Sequence, residues 1–369
     1  MTNGPIYTAE DQEWLELTPL GAPLASAHPD AQAEPPAPAP GGDVEVTTQA
    51  VPAVWADGGE MAWRVDRAPA PSPRKRRSAT QPGIRGRARM LVTDKLVAQE
   101  RECDAQLARL RVRGMSRSVV LAVASIKGGI GKTTIARALA DAFQDGLRQN
   151  TLLADLDLEW GTAVSTAPVG SHRESSILDV YRQRDQIHQV GDLMPHLMAL
   201  GSGALLLPAP SAPRDIDAVT PEVLDAALAT VSRFFQIIVL DLPPGAGIKN
   251  ETCRWAYGAV DEVLVVTTPT KATVDYQLRR ILEFLGESYE ELPLHVALNL
   301  VPPRPGQNVR EALTMADSIL DSRRVLRVHR DGALARQIDE ATLDISHLGV
   351  RTRVDIKRLA ASVAERWSR

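Results

Sequence analysis

The sequence predicts an α/β fold: a doubly wound, mostly parallel sheet with helices on both faces, preceded by a largely disordered N-terminal region. Three observations carry this expectation. Beyond Ser118, short apolar runs alternate with helical segments. The runs are continuous rather than alternating in polarity, as strands buried on both faces require. A glycine-rich loop and paired aspartates sit at the ends of such runs, where an open α/β sheet places its ligand site.

Taken in order, residues 1–92 stand apart from that core. Prolines crowd "AEPPAPAPGG" (33–42) and "APAPSPRKRR" (68–77), which read as extended linker sequence. Two apolar islands, 11–24 and 53–65, interrupt it with tryptophans. Each is either loosely packed on the chain's own surface or a short docking peptide for a partner. The formal net charge of −4 hides a strong asymmetry. Up to Ala70 acidic residues dominate, opposed only by Arg64 and Arg67, whereas residues 73–89 are basic and poor in aromatics. Such blocks mark solvated, interaction-prone segments.

From Thr93 to Arg113 the sequence suits a helix, with Leu96, Cys103, Leu107 and Leu110 near one face. Its many charges predict a surface or partner-facing element, a basic linker helix within 93–117 that leads into a globular domain over 118–369. Strands are expected at 119–125, 151–156, 204–209, 235–242, 262–268, 294–301 and 324–329. Roughly 250 residues is ample for one such core. Cys103 and Cys253 are the only cysteines and lie far apart, which argues against a disulfide framework or a cysteine-based zinc site. No run approaches the ~20 apolar residues that span a bilayer, and a bacterial cytoplasmic location is expected.

The chemistry concentrates in three places. "SIKGGIGKTT" (125–134) follows an apolar strand and opens a helix. Against the phosphate-loop pattern GxxxxGK[ST] it keeps Gly131-Lys132-Thr133 but has Ile126 where the first glycine belongs. Gly128, Gly129, Ile130 and Gly131 let backbone N–H groups turn around phosphate oxygens at a helix N-terminus. Lys132 is positioned to reach the β- and γ-phosphates, and the Thr133 hydroxyl to ligate Mg²⁺. Asp241 ends a buried strand in "IIVLDLPPG", where a carboxylate can hold Mg²⁺, and the prolines predict a rigid turn after it. Asp155 and Asp157 follow the strand of "TLLADLDLEWG". Residues i and i+2 share a strand face, so both carboxylates face the phosphates if the strand continues that far. One would then support Mg²⁺ and the other orient the attacking water.

Together these motifs resemble the deviant Walker A ATPases of the ParA/MinD group over about residues 118–345, with Lys127 of "KGGIGKTT" as the signature lysine. The resemblance implies a P-loop NTPase that binds ATP and Mg²⁺ and forms an ATP-dependent sandwich homodimer. In it Lys132 serves its own nucleotide and Lys127 reaches the partner subunit's phosphates. It further implies Thr133 on Mg²⁺, Thr134 on the α-phosphate, Asp157 as hydrolytic aspartate, Asp241 as the Walker B residue and Asn299 as adenine reader. "DLDLEWGTA" is similar to the pilus-assembly branch and "DLPPG" to partition proteins. The proline-rich head with a basic linker is similar to MinD-like ATPases of type VII secretion.

These echoes leave the matrix open. The basic segment 73–89 suits nonspecific DNA backbones, placing the protein on the nucleoid, or serves as a solubilising tether. Arg279, Arg280, Arg323 and Arg324 would extend such a basic face. An activating or cargo protein, such as a secretion or pilus component, would dock on the N-terminal tail. At the C-terminus Leu359, Val363 and Trp367 recur at helical spacing between arginines. That stripe either packs on its own sheet or lies on anionic lipid, as a MinD-type membrane helix does.

Overall fold

The computed structural model describes residues 84–367 apart from 160, 162, 169–174, 246–249, 290 and 321–323. The expectations for the acidic head, its two islands and the basic segment up to residue 83 lie outside the described residues. Among the described residues eight strands form one sheet: β1 (Val119–Ser125), β2 (Thr151–Asp155), β3 (Met198–Ala199), β4 (Leu205–Leu207), β5 (Ile237–Pro244), β6 (Glu262–Thr267), β7 (Leu294–Val301) and β8 (Val325–His329). Their order is β3-β4-β2-β5-β1-β6-β7-β8. All seven strands expected from the sequence are present. The two-residue β3, antiparallel to β4, is too short to leave a sequence pattern. Every other pairing is parallel.

The helices are α1 (Ile84–Arg113), α2 (Lys132–Leu147), α3 (Ile177–Gln183), α4 (Val190–Leu193), α5 (Pro213–Ile216), α6 (Pro221–Val231), α7 (Glu251–Ala259), α8 (Arg279–Ser288), α9 (Gln307–Ile319), α10 (Gly332–Asp339) and α11 (Val350–Ala364). A wide π turn, Ala272–Leu278, leads into α8. The sheet separates two apolar clusters. One is built on α1, α2 and α11, the other on α3, α6, α7, α8 and α9. All seven residues of β1 are buried, which is the reason its sequence is apolar without alternation. The chain leaves β1 toward β2 on one side and later returns to β6 on the other. The crevice this opens lies at the carboxyl ends of the central strands.

Helix α1 differs from its expected place in two respects. It begins at Ile84, nine residues before Thr93. It is also not a free linker: Cys103, Leu107 and Leu110 are buried against α2 and α11. Gly146 in α2 makes room for it, since a Cβ there would lie 2.8 Å from Leu107 Cδ1. Glu100 accepts from Arg353 at 2.6 and 2.8 Å and from Lys357 at 3.0 Å. The Arg353 guanidinium holds the Glu100 carboxyl below the usual carboxylate range. The charges that suggested a partner-facing surface are thus partly spent on α11. Leu107→Ala in the full chain is expected to cost about 2–5 kcal/mol of stability, measured by urea unfolding. An unchanged midpoint would show that α1 is no part of the cooperative unit.

The C-terminal stripe is spent inside the fold. Leu359 and Val363 are fully buried and Trp367 is 9% exposed. The Trp367 ring packs 4.9 Å from that of Phe143, and its Nε1 donates to Glu262 Oε2 at 2.9 Å. No described helix is long and apolar enough to cross a membrane.

Candidate functional site

The loop between β1 and α2, residues 126–131, is built by two glycines in the left-handed region, Gly129 (φ 73°) and Gly131 (φ 86°). It delivers Lys132 and Thr133 as the first residues of α2, where unpaired helical N–H groups gather. Lys132 is 7% exposed, and its Nζ donates to Asp241 Oδ1 at 2.6 Å. The Thr133 hydroxyl also interacts with the Asp241 carboxylate. Lys127, five residues earlier, is exposed and forms no ion pair with any described residue. The two lysines of one loop therefore occupy opposite environments.

Asp241 is fully buried, and its Oδ2 has no hydrogen-bond partner among the described residues. Burial raises its carboxyl above the usual range, against the downward pull of Lys132. Asp155 sits beside it in register across β2 and β5. Burial first, and the Asp241 charge second, push the Asp155 carboxyl up to about 7.

Strand β2 stops at Asp155, so the strand geometry expected to align Asp155 with Asp157 does not reach the second residue. Asp155 instead turns the chain. Its Oδ1 accepts from the Asp157 N–H at 3.1 Å and its Oδ2 from the Ala163 N–H at 3.0 Å. Asp157 is itself 6% exposed, and its charge, like that of Lys132, acts on the Cys253 thiol. The Cys253 thiol is pushed up to about 12 by burial, so it stays protonated and inert.

"DLPPG" also differs from its expected form. Strand β5 continues through Pro244, paired with Ser125, and the turn falls at Gly245 (φ 98°). The Gly245 N–H donates to the Ser125 carbonyl at 2.9 Å, fastening β5 to the root of the loop. Asn299, on β7, is 5% exposed, and its Nδ2 donates to the Ile130 carbonyl at 2.8 Å. Thr134 is half-buried in the first turn of α2. Arg279 and Arg280 are exposed on α8, with Arg279 bound to Asp275 at 3.0 Å, while Arg323 falls outside the described residues.

The sequence reading missed a further buried pair behind the loop. Arg137 and Asp141, each 1% exposed on α2, join at 3.2 Å. Arg137 also donates to the Thr166 carbonyl at 2.6 Å, and Ser202 donates to Asp141. An Arg and an Asp four apart look like an ordinary surface pair. Only the flanking run of alanines in α2 hints that this face is covered.

A family model described as an AAA domain matches residues 118–298. Among curated relatives, the ESX-1 secretion-associated protein EspI of Mycobacterium tuberculosis is 27% identical over 272 residues, 71% of this chain. The chain spans only 38% of that relative's length. The antiactivator FleN of Pseudomonas aeruginosa is 29% identical over 209 residues, covering 55% of this chain and 69% of FleN. Among solved structures, a ParA family ATPase from Chlorobium tepidum shares the fold at a TM-score of 0.55 with 20% identity. It covers 66% of this chain and 98% of its own. Its glycine loop, buried lysine–aspartate pair and parallel sheet give the chain a P-loop NTPase-like fold, and these matches make it similar to the ParA/MinD family of ATPases.

Proposed function

We propose that this chain is a Mg²⁺-dependent ATP hydrolase that works as a nucleotide-driven homodimer. It positions or segregates a cargo by binding nonspecific DNA in its ATP state and releasing it on hydrolysis. The observation that carries the reading is the contrast between Lys132, buried on Asp241, and Lys127, exposed five residues away on the same loop. Lys132 suits the chain's own phosphates, and Lys127 suits those of a second subunit. A cation fits the site: the unpartnered Oδ2 of Asp241 is buried beside Thr133, and Mg²⁺ is commonly held by one or two carboxylates together with substrate phosphates. Thr133 and Asp241 would hold it and Asp155 support them. Bound there, Mg²⁺ would neutralise charge on the phosphates. Asp157 would orient the attacking water.

Asp157→Ala is expected to lower phosphate release by about 100-fold or more while the ATP-bound dimer accumulates. Turnover at the wild-type rate would remove Asp157 from the chemistry. The DNA assignment rests on the basic segment 73–89. Its test is co-sedimentation with DNA and with anionic liposomes, each with ATP and with ADP. Retention on DNA only with ATP is the expected result, and ATP-dependent pelleting with liposomes alone would favour a membrane matrix.

A second reading is favoured by the similarity to EspI, whose name places it with ESX-1 secretion. In that reading the acidic, tryptophan-bearing head docks a component of a secretion apparatus and the nucleotide state is the switch. Deleting residues 1–70 would then abolish partner capture and leave ATP hydrolysis and DNA binding intact.

A further inference from the structure

Asn299 and Ile130 stand 169 positions apart in the chain, yet the asparagine's amide is fastened to the loop. Strand β7 is distorted where this happens. Its register with β8 shifts between Leu298 and Val301, and Leu300 takes a left-handed φ of 60°. Such a conformation is unfavourable for a residue with a side chain. The surrounding fold holds it at the position that follows Asn299. On the other side of the bond, a Cβ at residue 131 would lie 2.5 Å from Asn299 Nδ2. Gly131 is therefore needed twice, for its positive φ and for the room the amide takes.

The peptide joining Ile130 and Gly131 is planar and trans, so its C=O and N–H point in opposite directions. Fixing the carbonyl on Asn299 fixes where the Gly131 N–H points. We propose that Asn299 is a positioning residue of the phosphate loop. Its Nδ2 bond to the Ile130 carbonyl sets the plane of the Ile130–Gly131 peptide, and so the aim of the loop's N–H groups, before any nucleotide arrives. This rests on the ATPase reading above and adds to it a role independent of the base. An asparagine that acted only on adenine would discriminate among bases and leave phosphate affinity untouched.

The test separates these with a ligand that has no base. Binding of Mg-tripolyphosphate, Mg-ATP and Mg-GTP is measured for the full chain and for Asn299→Asp and Asn299→Ala. Asn299→Asp sets an acceptor against the Ile130 carbonyl, and Asn299→Ala removes the donor. Losing a buried partner of this kind weakens an interaction roughly tenfold to hundredfold. The expected result is a loss of that size for tripolyphosphate, shared by ATP and GTP, with the ATP-to-GTP ratio unchanged. Amide exchange at residues 128–132 of the ligand-free variants should speed up, while β1 exchanges as in the wild type. Unchanged tripolyphosphate affinity with a collapsed ATP-to-GTP ratio would overturn the inference. If Asn299→Asp loosens the whole fold, the milder Asn299→Ala decides by the same two readouts. Failure of the wild type to bind either tripolyphosphate or ATP would overturn the ATPase reading itself, and is recognised before any variant is compared.

Discussion

Lys132→Ala is expected to abolish nucleotide binding and to weaken the fold as well. The lysine is the cation that faces the fully buried Asp241, at 2.6 Å. Removing one partner of a buried ion pair costs about 3–5 kcal/mol, because the other charge is left uncompensated. On the binding side, truncating a buried charge that meets an oppositely charged ligand costs about 2–5 kcal/mol. That corresponds to a loss of at least tenfold, reaching on the order of a thousandfold. Isothermal titration with Mg-ATP checks the first effect and urea unfolding of the ligand-free chain the second. The double variant Lys132→Ala/Asp241→Ala removes both charges. It should be less destabilised than the sum of its single variants by about 0.5–3 kcal/mol. A single variant that unfolds like the wild type would mean that Asp241 is neutral in the ligand-free protein. Burial alone pushes it in that direction.

Lys127→Ala is expected to behave differently at every step. The side chain is exposed and has no ion pair among the described residues, so stability should stay within about 0.5 kcal/mol of the wild type. Binding of Mg-ATP to the monomer should also persist. The dimer is what should be lost. If Lys127 meets the partner subunit's phosphates, its removal costs a desolvated charge contact worth about 2–5 kcal/mol, at least a tenfold rise in the dimer dissociation constant. Analytical ultracentrifugation with a non-hydrolysable ATP analogue reads this directly. An unchanged dimer would exclude the cross-subunit role. A joint loss of monomer binding would make Lys127 a second local phosphate ligand.

Much of the fold was legible because its signals are local. Most of the seven longer strands announce themselves as apolar runs, since burial on both faces leaves little room for polar residues; the edge strand β8, with Arg327 exposed, is the exception. The loop was legible because phosphate binding demands glycines and a lysine at fixed spacing, and Asp241 because it interrupts an apolar strand at its carboxyl end. Asp155 and Asp157 were visible as residues but not as geometry. Where β2 stops depends on two backbone N–H groups that Asp155 gathers, and one of them, at Ala163, lies eight residues on.

What the sequence by itself determined is therefore the sheet, its central order of strand and helix, and the identity of the residues at the phosphate loop. The tertiary structure alone decided how those residues are used. It showed that α1 is a layer of the core, because Leu107 fits the space left by Gly146. It turned the C-terminal stripe inward, because Trp367 meets Phe143 and Glu262 rather than a lipid surface. It joined Asn299 on β7 to Ile130 after β1, two strands away in the sheet. The physical reason is the same in each case. A periodic pattern reports whether a face is covered, through water exclusion acting on nearby residues. Which partner covers it is set by contacts between segments far apart in the chain, and these leave no spacing to read.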